Sequence, residues 1–392
     1  LHTEVGYFPP FANQGGIDFQ RNGKTITDKG YETFLLAAEA SRWIENRDTE
    51  KPFFLYMPFI APHTPLEAPE DLLIKYANLK DLRKPTRSAS TDRIRSLSMT
   101  PSARPIYAAV VDALDQAIGQ VLATLESEGI DEETIILFSS DNGGATYGGG
   151  GGDNYPLRGG KGETYEGGIK VIAALRWKGH IAPQTNFSSI MTMMDVFPTL
   201  AGATNIPMMN TKKIWGRDMW SAIHGSETIP LTKEVFFASE TPNYGQFHTT
   251  VFNEQWKLVQ VISSSLMEVN VNNQLFNIDD DPNEYNNLAA DYPKLVELMA
   301  GKIRKWRALH PISGIRAQLV PPPGWRAPKD WTSYTIPINE LQDDASLGFG
   351  AHAHQILDYL IKDHGRIIYD CKPTDWERGK CKAPEKPHKH QH

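Results

Sequence analysis

Thr134-Ile135-Ile136-Leu137-Phe138-Ser139-Ser140-Asp141-Asn142-Gly143-Gly144 couples a run of strand-forming side chains to two oxygen donors and two glycines. A β-branched and aromatic run closed by turn residues predicts a buried strand. Its end delivers a carboxylate and a carboxamide into a turn that the glycines permit. Upstream, Tyr31 to Arg47 carries Phe34, Leu35, Ala38, Trp43 and Ile44 near helical spacing. Phe53 to Met57 is a short apolar run that predicts another buried strand, and it enters a loop punctuated by Pro58, Pro62, His63 and Pro65. A longer helix is expected from about Pro105 to Gly129, with Ile106, Val110, Leu114, Ile118, Val121, Leu122 and Leu125 on one face. Lys170 to Trp177 predicts a further strand and Ser189 to Ala203 a helix. Strand and helix in alternation predict an α/β domain, a largely parallel sheet sandwiched by helices, with ligands at the C-terminal strand ends. His63 and the Asp141-Asn142 pair fall at such ends.

The periodicity changes after about residue 225. Glu234 to Ser239, Thr249 to Ile262 and Gln274 to Ile278 predict strands, and Tyr292 to Leu309 a helix, so 226–310 is expected to be a small antiparallel sheet packed on one helix. Residues 311–392 read as an extended C-terminal extension and a basic, His-bearing tail. The polar stretch Asp81 to Ser102 reads as a mobile surface insertion.

With 392 residues, 40% hydrophobic and 22% charged, the chain has the apolar content for a real core. A net charge of -7 offers no nucleic-acid footprint. No apolar run approaches the roughly 20 residues of a membrane span. No signal-peptide pattern is visible from Leu1 to Asn13. Cys371 and Cys381 read as a small disulfide loop, which favours an oxidising compartment, or as two free thiols. Asn186-Phe187-Ser188 is an N-glycosylation sequon.

Asp141 and Asn142 are hard oxygen donors suited to Ca²⁺ or Mg²⁺, or simply the residues of a turn. Lys161 lies within Arg158-Gly159-Gly160-Lys161-Gly162, where small neighbours let a cation and backbone approach an anion. It is no nucleotide P-loop, because Tyr155 and Gly162 stand where that motif needs a glycine and a hydroxyl. His63 can hold an anionic group or give a proton to a leaving oxygen. Together these residues suit charge stabilisation of phosphoryl or sulfuryl transfer.

The order of these segments resembles the sulfatase family of the alkaline-phosphatase-like superfamily, most of all arylsulfatase B-type enzymes. The residues that carry it are Phe53-Phe54-Leu55-Tyr56, Ala61-Pro62-His63-Thr64-Pro65-Leu66, Leu137 to Gly144, Asn154 to Lys161, Glu166-Gly167-Gly168 and Met194 to Leu200. Trp256-Lys257-Leu258, Leu275-Phe276-Asn277, Asp281 to Glu284 and Asn287-Leu288-Ala289 continue it. The resemblance implies that Asp141 and Asn142 are two ligands of a Ca²⁺ ion and that His63 and Lys161 contact the sulfate of a sulfated sugar or aryl ester. It implies a formylglycine nucleophile made from Cys or Ser upstream of the matched segments. The sequence contains no such motif. Met99 to Arg104 lacks the oxidisable residue, and Cys371 to Asp375 lacks the arginine and comes too late. The expectation is therefore the later part of a sulfatase, its 1–225 segment a portion of the catalytic domain, inactive by itself. Secreted or lysosomal residence, or periplasmic in a bacterium, goes with that reading. A non-catalytic relative that binds sulfated glycans and a phosphodiesterase of the same superfamily are the alternatives.

Overall fold

The computed structural model describes residues 7–8, 19–22, 24–88, 103–146, 150–208, 213–225, 234–239, 246–264 and 269–309. Cys371, Cys381, the Met99 segment and the region 311–392 lie outside the described residues.

Two short strands, β1 (Gln20–Arg21) and β2 (Lys24–Thr25), form a hairpin around Asn22. Helices α1 (Glu32–Glu45), α2 (Glu70–Tyr76) and α3 (Arg104–Ser127) then pack together, α3 against both others. The buried side of α3 is Ala109, Val110, Ala113, Ala117, Thr124 and Leu125, which keeps Val110 and Leu125 of the predicted row but leaves Leu114, Ile118, Val121 and Leu122 half-buried and Ile106 exposed. Alanines win because α1 presents Ala37, Ala40 and Ser41, and small side chains on both helices allow close approach. The Thr124 hydroxyl donates to Ser41 Oγ at 2.8 Å across this seam. By length and composition α3 could cross a bilayer; its Ala109, Val110 and Ala113 are buried in one cluster with Tyr31, Ala61 and Leu72.

Lys51 to Pro58 does not form the predicted strand. Exposure alternates along it, as in extended chain, yet no ladder partner exists among the described residues. The other predicted strand is present as β3 (Ile136–Ser139), but Leu137 and Phe138 are exposed rather than buried. It pairs with β4 (Ala173–Arg176), and the pairing is antiparallel, with Phe138 opposite Ala174. These two strands depart from the parallel expectation because the chain between them holds one helical turn, α4 (Glu166–Ile169), among loops. A parallel return needs a crossover element, usually a full helix. Helix α5 (Met193–Ala203) follows, with Pro198 inside it, and then α6 (Trp220–Gly225).

The later region is an antiparallel sheet as predicted, but the single strand expected from Thr249 to Ile262 is two strands that turn between Asn253 and Trp256, and the last strand begins at Val269 rather than Gln274. β5 (Val235–Ser239), β6 (Gln246–Asn253), β7 (Trp256–Ser264) and β8 (Val269–Asn277) form a four-stranded antiparallel sheet in sequence order, with α7 (Pro293–Arg307) on one face. Period-two alternation assigns the faces. Val251, Leu258 and Leu275 meet Met299, Ala300 and Ile303 of α7. Val259, Val261 and Phe276 face the other way and pack on Tyr165, from the loop that precedes α4.

Candidate functional site

Asp141 and Asn142 leave the end of β3 in a tight turn. The Asn142 N–H donates to Asp141 Oδ1 at 2.8 Å, and the Asn142 amide nitrogen donates to the Gly143 carbonyl at 3.1 Å. The second Asp141 oxygen and the Asn142 side-chain oxygen stay uncommitted among the described hydrogen bonds. Gly143 then presses on α4: a Cβ there would stand 1.8 Å from the Gly167 carbonyl oxygen, so only glycine fits. Its N–H donates to the Gly168 carbonyl at 2.9 Å.

The Lys161 loop is fastened to the same turn. The Lys161 N–H donates to the Gly144 carbonyl at 3.2 Å. Asn154 bridges the two: its oxygen accepts the Gly144 N–H at 2.9 Å, and its nitrogen donates to the carbonyls of Gly144 at 2.9 Å and Gly159 at 3.1 Å. Glu163 accepts the Gly160 N–H at 3.2 Å and a hydrogen bond from the Ser88 hydroxyl. The Lys161 ammonium has no ion pair among the described residues.

The expected mobile insertion is, from Asp81 to Ser88, part of this fastening. Arg83 donates to the Gly150 and Gly152 carbonyls at 3.1 and 3.2 Å, and the Thr86 carbonyl accepts the Gly159 N–H at 2.8 Å. Arg87 lies 3.6 Å over the Tyr285 ring and donates to the Pro156 carbonyl at 2.8 Å. Its polar composition reflects backbone carbonyls in need of donors, not solvent.

His63 stands on the separate loop between the cis bonds Ala61–Pro62 and Thr64–Pro65. Its carbonyl accepts the Tyr7 hydroxyl at 2.8 Å, and Nδ1 lies 2.5 Å from the Thr64 carbonyl. A carbonyl only accepts, so Nδ1 carries the proton and Nε2 donates only in the imidazolium form. This loop and the glycine-rich loop share α3 as a support. Ala61 and Leu66 pack on Ala109 and Val110, while Arg104 donates to the Gly151 carbonyl at 2.7 Å. The structure thus joins the Asp141-Asn142 turn to the Lys161 loop by direct hydrogen bonds, and relates His63 to them through one helix.

Asp141 and Asn142 have the donor chemistry for Ca²⁺, but they supply two of the roughly six to eight oxygens such an ion takes. Among the described residues no group of three or more His, Cys, Asp or Glu side chains is placed to hold a metal. Asn186 is exposed on the loop between β4 and α5, where an acceptor asparagine is accessible.

The sequence alone assigned no role to Asn154, Glu163 or the buried group Glu166, Lys257 and Glu284, although all but Glu163 stand in the segments that carry the resemblance. A lone cation at the head of the apolar run Trp256 to Ile262 was the available signal for the last group.

Comparison with known proteins follows the same segments. The family model described as Sulfatase matches residues 3–206, just over half of the chain. A sulfatase of Formosa agariphila is 29% identical over 289 residues, covering 67% of this chain and 48% of that protein. The steryl-sulfatase of Rattus norvegicus is 32% identical over 206 residues, covering 51% of this chain and 31% of its own length. The crystal structure of Ps i-CgsB in complex with k-i-k-neocarrahexaose is 27% identical with a TM-score of 0.59, over 73% of this chain and 57% of that one. The chain spans about half the length, or less, of these curated relatives. Its fold is that of the α/β, alkaline-phosphatase-like sulfatases, with the small antiparallel sheet and helix beside it.

Proposed function

The chain belongs to the sulfatase family, and from that premise we propose that it forms the later part of a calcium-dependent sulfuric ester hydrolase acting on a sulfated sugar or aryl ester. The observation that carries the reading is the hydrogen-bonded junction between the Asp141-Asn142 turn and the Lys161 loop, with the Lys161 ammonium unpaired among the described residues. Two hard oxygens suited to a divalent cation, and an ammonium tied to them by one backbone network, suit an anionic sulfate ester. The similar structure of Ps i-CgsB holds k-i-k-neocarrahexaose, which favours a sugar sulfate over a simple aryl one.

In this proposal Asp141 and Asn142 would hold Ca²⁺, which supplies charge stabilisation at the sulfate oxygens. Lys161 neutralises the same group from the glycine-rich loop. His63, with Nδ1 committed to Thr64, offers Nε2 as an imidazolium donor to a sulfate oxygen or to the departing alcohol oxygen. The nucleophile, a formylglycine, belongs to a segment that this polypeptide does not contain, so the polypeptide alone is expected to bind sulfate without turnover. Two separate cores support the division into 1–225 and 226–310, with 311–392 as an extension. Glycosylation at Asn186, a Cys371–Cys381 bond and secreted or lysosomal residence complete the proposal.

The test is turnover of a sulfated oligosaccharide and of a chromogenic aryl sulfate by the longest natural polypeptide that contains this sequence, with Asp141→Ala and Lys161→Ala beside the parent. Each substitution removes a group that acts on the transition-state charge, so a loss of about 10²-fold or more is expected. Sulfate binding without turnover by that polypeptide would mark a glycan-binding relative instead. A polypeptide that shows neither sulfate binding nor turnover sinks the sulfatase reading.

A further inference from the structure

On the Tyr165 side of the four-stranded sheet, Lys257 of β7 is fully buried and holds two carboxylates. Its ammonium donates to Glu166 Oε1 at 2.8 Å and lies 2.8 Å from Glu284 Oε1. Glu284, just beyond β8, accepts the Glu166 backbone N–H through Oε2 at 2.8 Å. Both carboxylates are buried as well. Beside them, Arg158 stacks over Tyr165 at 4.1 Å from the ring centre, and Gln274 of β8 donates to the Tyr165 hydroxyl at 2.9 Å.

This group costs much to assemble. Three ionisable side chains leave water together, and such a site is often no more stabilising than apolar residues of the same shape. Burial pushes the Glu284 carboxyl above its ordinary value, against the pull of Lys257, with Glu166 adding repulsion. Its position, however, is informative. Glu166 is the first residue of α4, and Gly168, two residues on, accepts the Gly143 N–H beside Asn142. Gly167, between them, donates to the Arg158 carbonyl at 2.7 Å at the head of the Lys161 loop. A short covalent and hydrogen-bonded path therefore runs from the sheet to both halves of the candidate site.

We propose that Lys257 and Glu284 are positioning residues of the sulfate site: by clamping Glu166 they set where α4 holds the Asp141-Asn142 turn and the Lys161 loop. The sheet and helix of 226–310 are then the anvil on which the anion-binding loops are shaped, and their role in the reaction is exerted through α4. This rests on the proposed sulfatase function for its consequence in binding, but the positioning itself is a claim about backbone order.

The experiment is amide hydrogen exchange by mass spectrometry on the full 392-residue chain, with sulfate affinity by calorimetry alongside. Lys257→Met and Glu284→Met are expected to speed exchange across 141–168 by about tenfold or more and to weaken sulfate binding, while α1 keeps its protection. Glu284→Gln, which retains an acceptor for the Glu166 N–H, should stay close to the parent in both. Unchanged exchange across 141–168 in the methionine variants overturns the proposal. So does a uniform acceleration that includes α1, because it marks a general structural role. If Lys257→Met does not fold, the contrast between Glu284→Met and Glu284→Gln decides. A parent chain that fails to bind sulfate discredits the sulfatase reading and leaves the exchange result to judge the positioning claim separately.

Discussion

Glu32 opens α1 with its side chain buried, and its Oε2 has no hydrogen-bond partner among the described residues. Burial pushes its carboxyl from 4.5 up to about 7. Burial pushes the phenols of Tyr7 and Tyr31 up as well, and the neighbouring carboxyls of Glu32 and Glu67 add to that rise. A carboxyl with a native pKa above its unfolded value holds its proton more tightly when folded. Native stability therefore falls as pH climbs from about 4.5 to 7, by up to about 3 kcal/mol, and stays lowered above that window. Glu32→Gln removes the ionisation, so the variant should match the parent near pH 5 and exceed it at pH 8. Urea midpoints measured across that range check this, and parallel pH profiles for the two proteins would refute it. The sequence placed Glu32 in a helix but gave no hint of its burial, because Tyr7, whose carbonyl accepts the Glu32 N–H, comes from a segment distant in the chain. Asp141, Asn142 and Lys161, in contrast, were legible as a group, since glycines flanking polar residues advertise backbone proximity without any tertiary knowledge.

Helix α5 shows an element whose letters were readable before its purpose. Met194 to Leu200 is part of the resemblance, and the structure makes Asp195 a cap: its Oδ2 accepts the Thr192 N–H at 2.8 Å, completing a capping box. Asp195 Oδ1 accepts the Arg217 backbone N–H at 2.6 Å, and the Arg217 guanidinium lies 3.0 Å from Oδ2. Burial pushes Asp195 up, but the Arg217 side chain and these backbone donors outweigh it and hold the carboxyl below its ordinary value. Its contribution is complete above the ordinary carboxylate range and is lost as pH falls through it. Thr192→Ala should cost about 1 kcal/mol, the worth of a lost cap. Asp195→Ala should cost about 3–5 kcal/mol, because it leaves a mostly buried Arg217 without its partner. Chemical denaturation of both variants at neutral pH distinguishes them, and equal losses would show that the ion pair adds nothing to the cap. The long helices and the later sheet were legible because their periods are set by a core close in sequence. The α3 face was read only in part, since Val110 and Leu125 are buried as expected, but bulk was taken for burial where alanine facing alanine determines how α1 and α3 meet.

At the scale of the molecule, the two halves differ in how completely they bury their apolar side chains. The sheet of β5 to β8 is covered on one face by α7 and, through Val259, Val261 and Phe276, packs on Tyr165 with the other. Around β3 the cover is thin: Phe54 is 79% exposed, Tyr56 75% and Ile172 78%, while Met193 and Phe197 of α5 also face solvent. The 51–60 stretch is extended with no partner among the described residues, and β3 has only β4 beside it there. Unpaired edges and exposed large apolar side chains invite association with another strand or surface. This explains why the sequence pointed to buried strands: Phe53 to Met57 and Ile135 to Phe138 have interior composition, but burial is a property of neighbours and not of the strand itself. In the longer sulfatase proposed above, these side chains would lie inside the α/β layer. The 392-residue polypeptide by itself is therefore expected to bind a hydrophobic dye such as ANS and to self-associate at rising concentration. Phe54→Lys with Tyr56→Lys, which places charges on the extended stretch without touching the Lys161 loop, should reduce both. Light scattering and dye titration of the pair provide the measurement. A parent polypeptide that stays monomeric and dye-free would mean that this surface is covered from within the chain, by residues beyond those described, and that no outside strand is needed.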